Sequence, residues 1–250
     1  MKINNNDFER FSKQIILKNI GVAGQKKLFS SKILVIGIGG LGCPLILYLA
    51  NSGIKNFGIV DYDKVELSNL NRQILFTPSD INKYKVEQAK KKIIKIDKKI
   101  KIKSFKKEIH KNNINDIIQD FDIICDCTDN FATRYLINDS CLRQNKILIS
   151  AAINKFDGQV FNFNFRKKTP CLRCFMPETP NNEVNCETDG ISSTLAGITG
   201  TLQANEVVNT IINSRKSIVG KMLIFNSLKL EFRKIKLTKN HRCIKECSKK

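Results

Sequence analysis

No apolar run in this chain of 250 residues approaches the length of a membrane span, which excludes a helical membrane protein. The first residues, Met1-Lys2-Ile3-Asn4-Asn5-Asn6-Asp7, lack the apolar stretch of a secretory signal. These two absences lead us to expect a soluble, cytoplasmic protein. No internal repeat and no low-complexity linker stands out, so one domain is expected over 1–250. Its parts would be two amino-terminal helices in 7–30, a core in 31–155 and a carboxyl-terminal part in 156–250. An even cysteine count is also missing. There are nine, at 43, 125, 127, 141, 171, 174, 186, 243 and 247, and a disulfide framework is not expected.

Acidic residues are scarce against basic ones, 23 against 43, giving a net charge of +20. The lysines are scattered through a chain rich in Ile, Asn and Lys, which reads as a compositional bias. The densest group runs Lys90, Lys91, Lys92, Lys95, Lys98, Lys99, Lys101 and Lys103. A solvated helix face is the plain reading, a surface that steers an acidic protein partner is the functional one, and nucleic acid comes last.

What is present alternates. Lys32–Ile36 is a short apolar strand, and a helix through Leu45, Ile46, Leu47, Leu49 and Ala50 stops at Gly53. Strands are expected at 57–61, 101–105, 121–125 and 147–151, with helices at 84–96, 113–119 and 132–144 between them. Residues 62–80 read as a long polar loop. Alternating strands and helices make a mostly parallel, doubly wound α/β sheet over about 30–155. The pattern then changes. Gly158–Phe165 alternates strictly, as an antiparallel strand does. A cysteine-rich loop, a helix at 193–213 and strands at 222–226 and 229–237 should extend the same sheet.

Between the first strand and its helix lies Gly37-Ile38-Gly39-Gly40-Leu41-Gly42. In such a unit the first glycine permits the tight turn, the second lets a phosphate approach the backbone, and the third lets helix and strand pack closely. The helix amino terminus then faces the anion. Asp61 follows Gly42 by 19 residues, at the end of the second strand, where a carboxylate accepts ribose hydroxyls. This much suits an NAD-dependent oxidoreductase equally well. The loop Asp61-Tyr62-Asp63-Lys64-Val65-Glu66-Leu67-Ser68-Asn69-Leu70-Asn71-Arg72-Gln73 argues against it, because a cation follows the ribose position and Lys85 follows that. Asp129-Asn130 sits after the fourth strand, at the carboxyl edge of the sheet. An acid there suits Mg²⁺, which takes one or two carboxylates plus phosphate oxygens. Two cations and a metal-binding acid around a phosphate turn point to chemistry at ATP.

These segments resemble the ThiF/MoeB/HesA family, the bacterial relatives of ubiquitin-activating enzymes. The resemblance runs through Arg10–Ile15, Gly37–Gly42, Leu67–Gln73, Asp126-Cys127-Thr128-Asp129-Asn130, Cys171–Cys174 and Gly197–Ala204. It implies adenylation of the carboxyl-terminal glycine of a small ubiquitin-like sulfur carrier, ThiS-like or MoaD-like, ending in Gly-Gly. Residues 156–250 would bind that carrier. It implies a nucleotide site made of Gly37, Gly39, Gly40, Gly42, Asp61, Asp63, Ser68, Asn69, Leu70, Asn71, Arg72, Gln73, Lys85, Asp129 and Asn130. Within it Asp129 holds Mg²⁺, Asn69 and Arg72 bind phosphates, and Lys85 neutralises the leaving group. It also implies a homodimer in which a residue at position 13 reaches the partner's site. The family commonly has arginine there. Lys13 keeps the charge without the bidentate fork; alternatively Arg10 substitutes, the contact is weak, or Lys13 is a plain surface residue.

Cys171-x2-Cys174 and Cys243-x3-Cys247 suit a structural Zn²⁺ in a small four-cysteine knuckle. His241 is a possible replacement ligand, although it and His110 read better as surface residues. Cys43, Cys125, Cys127 and Cys141 read as buried small residues. Cys186 lies in a polar segment. Some members of the family use a cysteine here covalently and others do not, and both readings stay open. Thiamin and molybdopterin synthesis both use such enzymes. Phe76-Thr77 and Ala132-Thr133-Arg134 lean toward the thiamin side. No rhodanese-like extension follows, so a separate sulfur donor, such as a cysteine desulfurase, is expected. A tRNA-modifying relative shares the early motifs and is the other alternative.

Overall fold

The computed structural model describes residues 3–178, 190–240 and 243. Two helices come first, α1 (Asn5–Ile15) and α2 (Gly21–Ser30). The Asn4 side chain caps α1 by accepting from the Asp7 amide at 2.8 Å. Five parallel strands follow in the spatial order β3 (Lys101–Phe105), β2 (Asn56–Val60), β1 (Lys32–Ile36), β4 (Ile123–Asp126), β5 (Ile147–Asn154). The connecting helices are α3 (Gly42–Asn51), α4 (Lys85–Ile96), α5 (Ile114–Ile118) and α6 (Phe131–Arg143). The order reverses between β1 and β4, which opens a crevice at their carboxyl ends.

After Lys32, strand β1 is apolar throughout because both of its faces are covered. Ile33 and Val35 join the core beneath α3 and α4, while Leu34 and Ile36 join the core on the α5 and α6 side. Each such side chain, wholly buried, contributes about 1.5–3 kcal/mol.

The expected antiparallel extension is present. Strands β6 (Asp157–Asn164), β7 (Lys221–Asn226) and β8 (Glu231–Lys236) continue from β5 in one eight-stranded sheet. Phe161, Phe163 and Phe165 stack at 5.5 and 6.2 Å on one face of this extension. Two details differ from expectation. A short helix α7 (Leu172–Phe175) interrupts the cysteine-rich loop, and the long helix α8 spans Ser193–Ile211. The first follows from a side chain. The Asn138 carboxamide accepts from the Leu172 amide at 2.9 Å and starts α7. Gln203, wholly buried in α8, donates to the Asp126 and Ile149 carbonyls and ties that helix onto β4 and β5.

Among the described residues no helix is long and apolar enough to cross a membrane. The lysine-rich face of α4 and β3 is partly paired: Lys92 meets Asp80, Lys99 meets Asp7 and Lys103 meets Asp120.

Candidate active site

The tight turn after β1 requires its first glycine. Gly37 has φ +90°, and a Cβ there would stand 2.8 Å from the Cys127 carbonyl oxygen. Gly42, the first residue of α3, is closer still: a Cβ would stand 2.1 Å from the Gly37 carbonyl oxygen. This is the close approach of helix to strand that the third glycine permits. Gly39 and Gly40, between them, face a cavity of about 560 Å³.

Of the residues expected in a nucleotide site, eleven line this cavity: Gly37, Gly39, Gly40, Asp61, Asp63, Asn69, Arg72, Gln73, Lys85, Asp129 and Asn130. Gly42 packs behind the turn. Ser68, Leu70 and Asn71 lie off the wall. Two of them hold Arg72, whose Nη1 donates to the Ser68 carbonyl at 2.9 Å and to Asn71 Oδ1 at 3.1 Å. Lys13 is exposed on α1, and Arg10 donates to the Ile96 carbonyl at 2.8 Å. Cys186, Cys247 and His241 lie outside the described residues. His110 is exposed.

Asp61 has a task that its sequence position does not reveal. Its Oδ2 accepts from the Ile38 amide at 2.7 Å, and its Oδ1 accepts from the Asp63 amide at 2.9 Å. The acid therefore stitches the glycine turn to the end of β2. Burial raises its carboxyl above the ordinary value, against the pull of Lys85 and the two amides. Lys85 opens α4 and donates to Asp63 Oδ2 at 2.8 Å. Gln73 is buried, its Oε1 has no partner among the described residues, and its Nε2 lies beside Gly39. Asp129 is exposed, and its carboxylate makes no hydrogen bond or ion pair among the described residues.

Several wall residues went unread in the sequence. Lys107, Glu108 and Ile109 follow β3. Extending the carboxyl-edge rule to that strand would have found them. Ile153, Phe161, Phe175, Met176 and Ile191 come from the β5–β6 hairpin and the segments beside it, and they give the cavity an apolar wall. No local signal marks them.

The seven described cysteines fall into two groups. Cys43, Cys125, Cys127 and Cys141 are buried. Burial pushes the Cys43 thiol up to about 12, which makes it a poor nucleophile. The Cys171, Cys174 and Cys243 sulfurs instead lie within 4.8 Å of one another. Burial opposes ionisation at Cys174, but amides and neighbouring thiols outweigh it and its thiol is lowered. Three clustered thiols are a donor set suited to a metal.

A doubly wound sheet with a glycine turn and a charged cavity at its switch point defines a phosphate-binding α/β class. Comparison narrows it: the ThiF family profile matches residues 11–245, so the chain belongs to the ThiF family. It is 41% identical over 238 residues to adenylyltransferase and sulfurtransferase MOCS3 of Culex quinquefasciatus, covering 94% of this chain and 54% of that protein. The MOCS3 of Aedes aegypti gives 41% over the same lengths. The chain thus spans about half the length of the curated relatives it matches. Among solved structures, E. coli MccB with ATP superposes with a TM-score of 0.80 at 22% identity, covering 96% of this chain and 74% of that one. PaaA superposes with a TM-score of 0.79 at 23% identity, covering 94% and 84%. These two likenesses concern the fold.

Proposed function

We propose that this chain is an adenylyltransferase that uses ATP to activate the carboxyl-terminal glycine of a small ubiquitin-like sulfur carrier. One observation carries the reading. A single cavity combines a glycine turn, the cations Arg72 and Lys85, the acid Asp129, unpaired among the described residues, and an apolar wall supplied by the antiparallel extension. The turn, the cations and the acid suit a triphosphate, and the apolar wall suits the adenine ring or a peptide tail brought to the phosphates.

The turn and the amino terminus of α3 receive the phosphates. Asp61 retains lone pairs for ribose hydroxyls beyond its two backbone bonds. Asn69, Gln73 and Arg72 orient the triphosphate. The acceptor carboxylate is already ionised at neutral pH, so no base is required. One of its oxygens bonds to the α-phosphorus as the bond from that phosphorus to the bridging oxygen breaks, and pyrophosphate leaves with the electron pair. Arg72 and Lys85 stabilise the charge on the departing group, and Lys85 must exchange its bond to Asp63 for one to phosphate. Asp129 would hold Mg²⁺, which supplies charge neutralisation when bound. The polar loop and the apolar wall keep the two reactants in register, which supplies much of such a rate enhancement.

Cys171, Cys174 and Cys243, with Cys247 as a fourth ligand, would hold Zn²⁺ in a closed structural site. In a homodimer, Lys13 of a second copy would add a point charge at the phosphates. ATP–pyrophosphate exchange tests the reading. A carrier ending in Gly-Gly is expected to stimulate exchange. Failure with every such carrier, together with ATP hydrolysis stimulated by tRNA, overturns it.

A further inference from the structure

Asp126, at the end of β4, is a carboxylate with no exposure at all. A charge in that position must be fully bonded or the fold loses stability. Its side chain is bonded to the turn that follows it, to β5 and to α6. Its Oδ1 accepts from the Thr128 amide at 3.0 Å and from the Thr128 hydroxyl at 2.6 Å. Its Oδ2 accepts from the Ser150 hydroxyl at 2.6 Å, on the strand residue paired with it in β5, and lies 3.4 Å from Arg134 Nε. Arg134, in the first turns of α6, is itself buried. Its Nη2 donates to the Thr128 carbonyl at 2.6 Å and to the Ala151 carbonyl at 3.2 Å.

Thr128 is therefore held at its amide, its hydroxyl and its carbonyl. On the other side of Asp129, the Asn130 side chain accepts from the Thr133 amide at 2.9 Å and caps α6. Asp129, between these two anchored neighbours, has no side-chain partner among the described residues. A buried ion pair is weak grounds for stability but is well suited to fixing one geometry.

We propose that Asp126 and Arg134 are positioning residues that clamp the Thr128–Asn130 turn and preset Asp129 for the divalent cation that accompanies ATP. The assignment rests on the nucleotide reading above. The clamp lowers the ordering cost of cation binding and makes no contact with the nucleotide through Asp126.

Binding of a fluorescent ATP analogue to the full chain, in EDTA and across a MgCl₂ series, separates cation positioning from general damage. Thr128→Val removes the hydroxyl at nearly constant volume, and Arg134→Lys keeps the charge but loses the fork. Each is expected to raise the Mg²⁺ concentration at half-maximal binding about 10-fold or more, as loss of a group supporting a metal ligand does. Affinity in EDTA should stay at the wild-type value. Thr128→Ser retains the hydroxyl and should restore the wild-type midpoint. Asp126→Asn leaves a buried guanidinium without its counter-charge and risks misfolding, so the Thr128 pair carries the test. An unmoved Mg²⁺ midpoint in Thr128→Val and Arg134→Lys overturns the clamp and leaves the nucleotide reading intact. A wild-type chain that binds the analogue identically in EDTA and Mg²⁺ also overturns the clamp. A wild-type chain that binds no analogue overturns both.

Discussion

The parallel and antiparallel halves of the sheet are built differently although they share one hydrogen-bonded surface. In β1, β2 and β4 every residue but the first of β1 and of β2 is buried, because helices cover both faces. Every residue of β8 is exposed, and Leu228, Leu230 and Phe232 in and beside it expose more than half their surface. The parallel half must hold a turn of backbone amides rigid, and it does so by burying the strands beneath that turn. The antiparallel half supplies one wall of the cavity from β5 and β6, and its outer strands carry no such demand.

Substitution in each half tests the contrast. Arg72→Ala removes a cation whose protein bonds run only to its own loop. Carrier-dependent exchange should fall by about 10²–10³-fold with an unchanged unfolding midpoint. A large loss of stability instead would mean that the loop is structural. Leu34→Ala, on wholly buried β1, should lower the unfolding free energy by about 2–5 kcal/mol in denaturant titration. Phe232→Ala on β8, 55% exposed but stacked on Phe225 at 4.6 Å, should cost about 0.5–1.5 kcal/mol. Equal costs would show that β8 is covered in solution and would break the comparison.

The smallest effects concern pH, and the two halves should respond with opposite sign. Asp7 is buried between Lys55 and Lys99, at 3.1 and 3.0 Å. Burial opposes its ionisation, but the two lysines outweigh burial and hold its carboxyl below the ordinary value. A depressed folded value contributes stability above the unfolded pKa of about 4, lost as pH falls through the folded value. Asp7→Asn should therefore destabilise at pH 7 and approach wild type in strong acid. Glu206, on α8, pairs with no cation among the described residues. Burial raises its carboxyl, against hydrogen bonds from Ser217, Asn162 and the Ile218 amide. A raised folded value costs stability as pH rises from the unfolded pKa of about 4.3 through the folded one. Three of those bonds fall on Oε1, which glutamine retains. Thermal midpoints from pH 3 to 8 should rise for Glu206→Gln relative to wild type above that window. A fall at every pH would show that the second oxygen is essential.

Most element boundaries were legible because they depend on short-range patterns. The strand expected at 57–61 is Asn56–Val60, and that at 121–125 is Ile123–Asp126. Asp61 thus stands just beyond its strand, free to turn its carboxylate to Ile38. The Arg134 clamp was invisible. Arg134 was legible as part of a family-like segment, but its contacts appear only when β5 is laid beside β4 and brings Ser150 opposite Asp126.

Local chemistry settled the strand–turn–helix unit: glycines allow its backbone geometry, and apolar periodicity selects its elements. The same local patterns announced the change from parallel to antiparallel at residue 158. Contacts across the fold came from sheet order and register. These put Asp61 on the turn 23 residues away, Cys243 beside Cys171 across 72 residues, and an apolar wall in the same cavity as the glycine turn. Periodicity records which face a residue takes; which residue it meets there is decided when distant strands pair, because only then do their side chains share one surface.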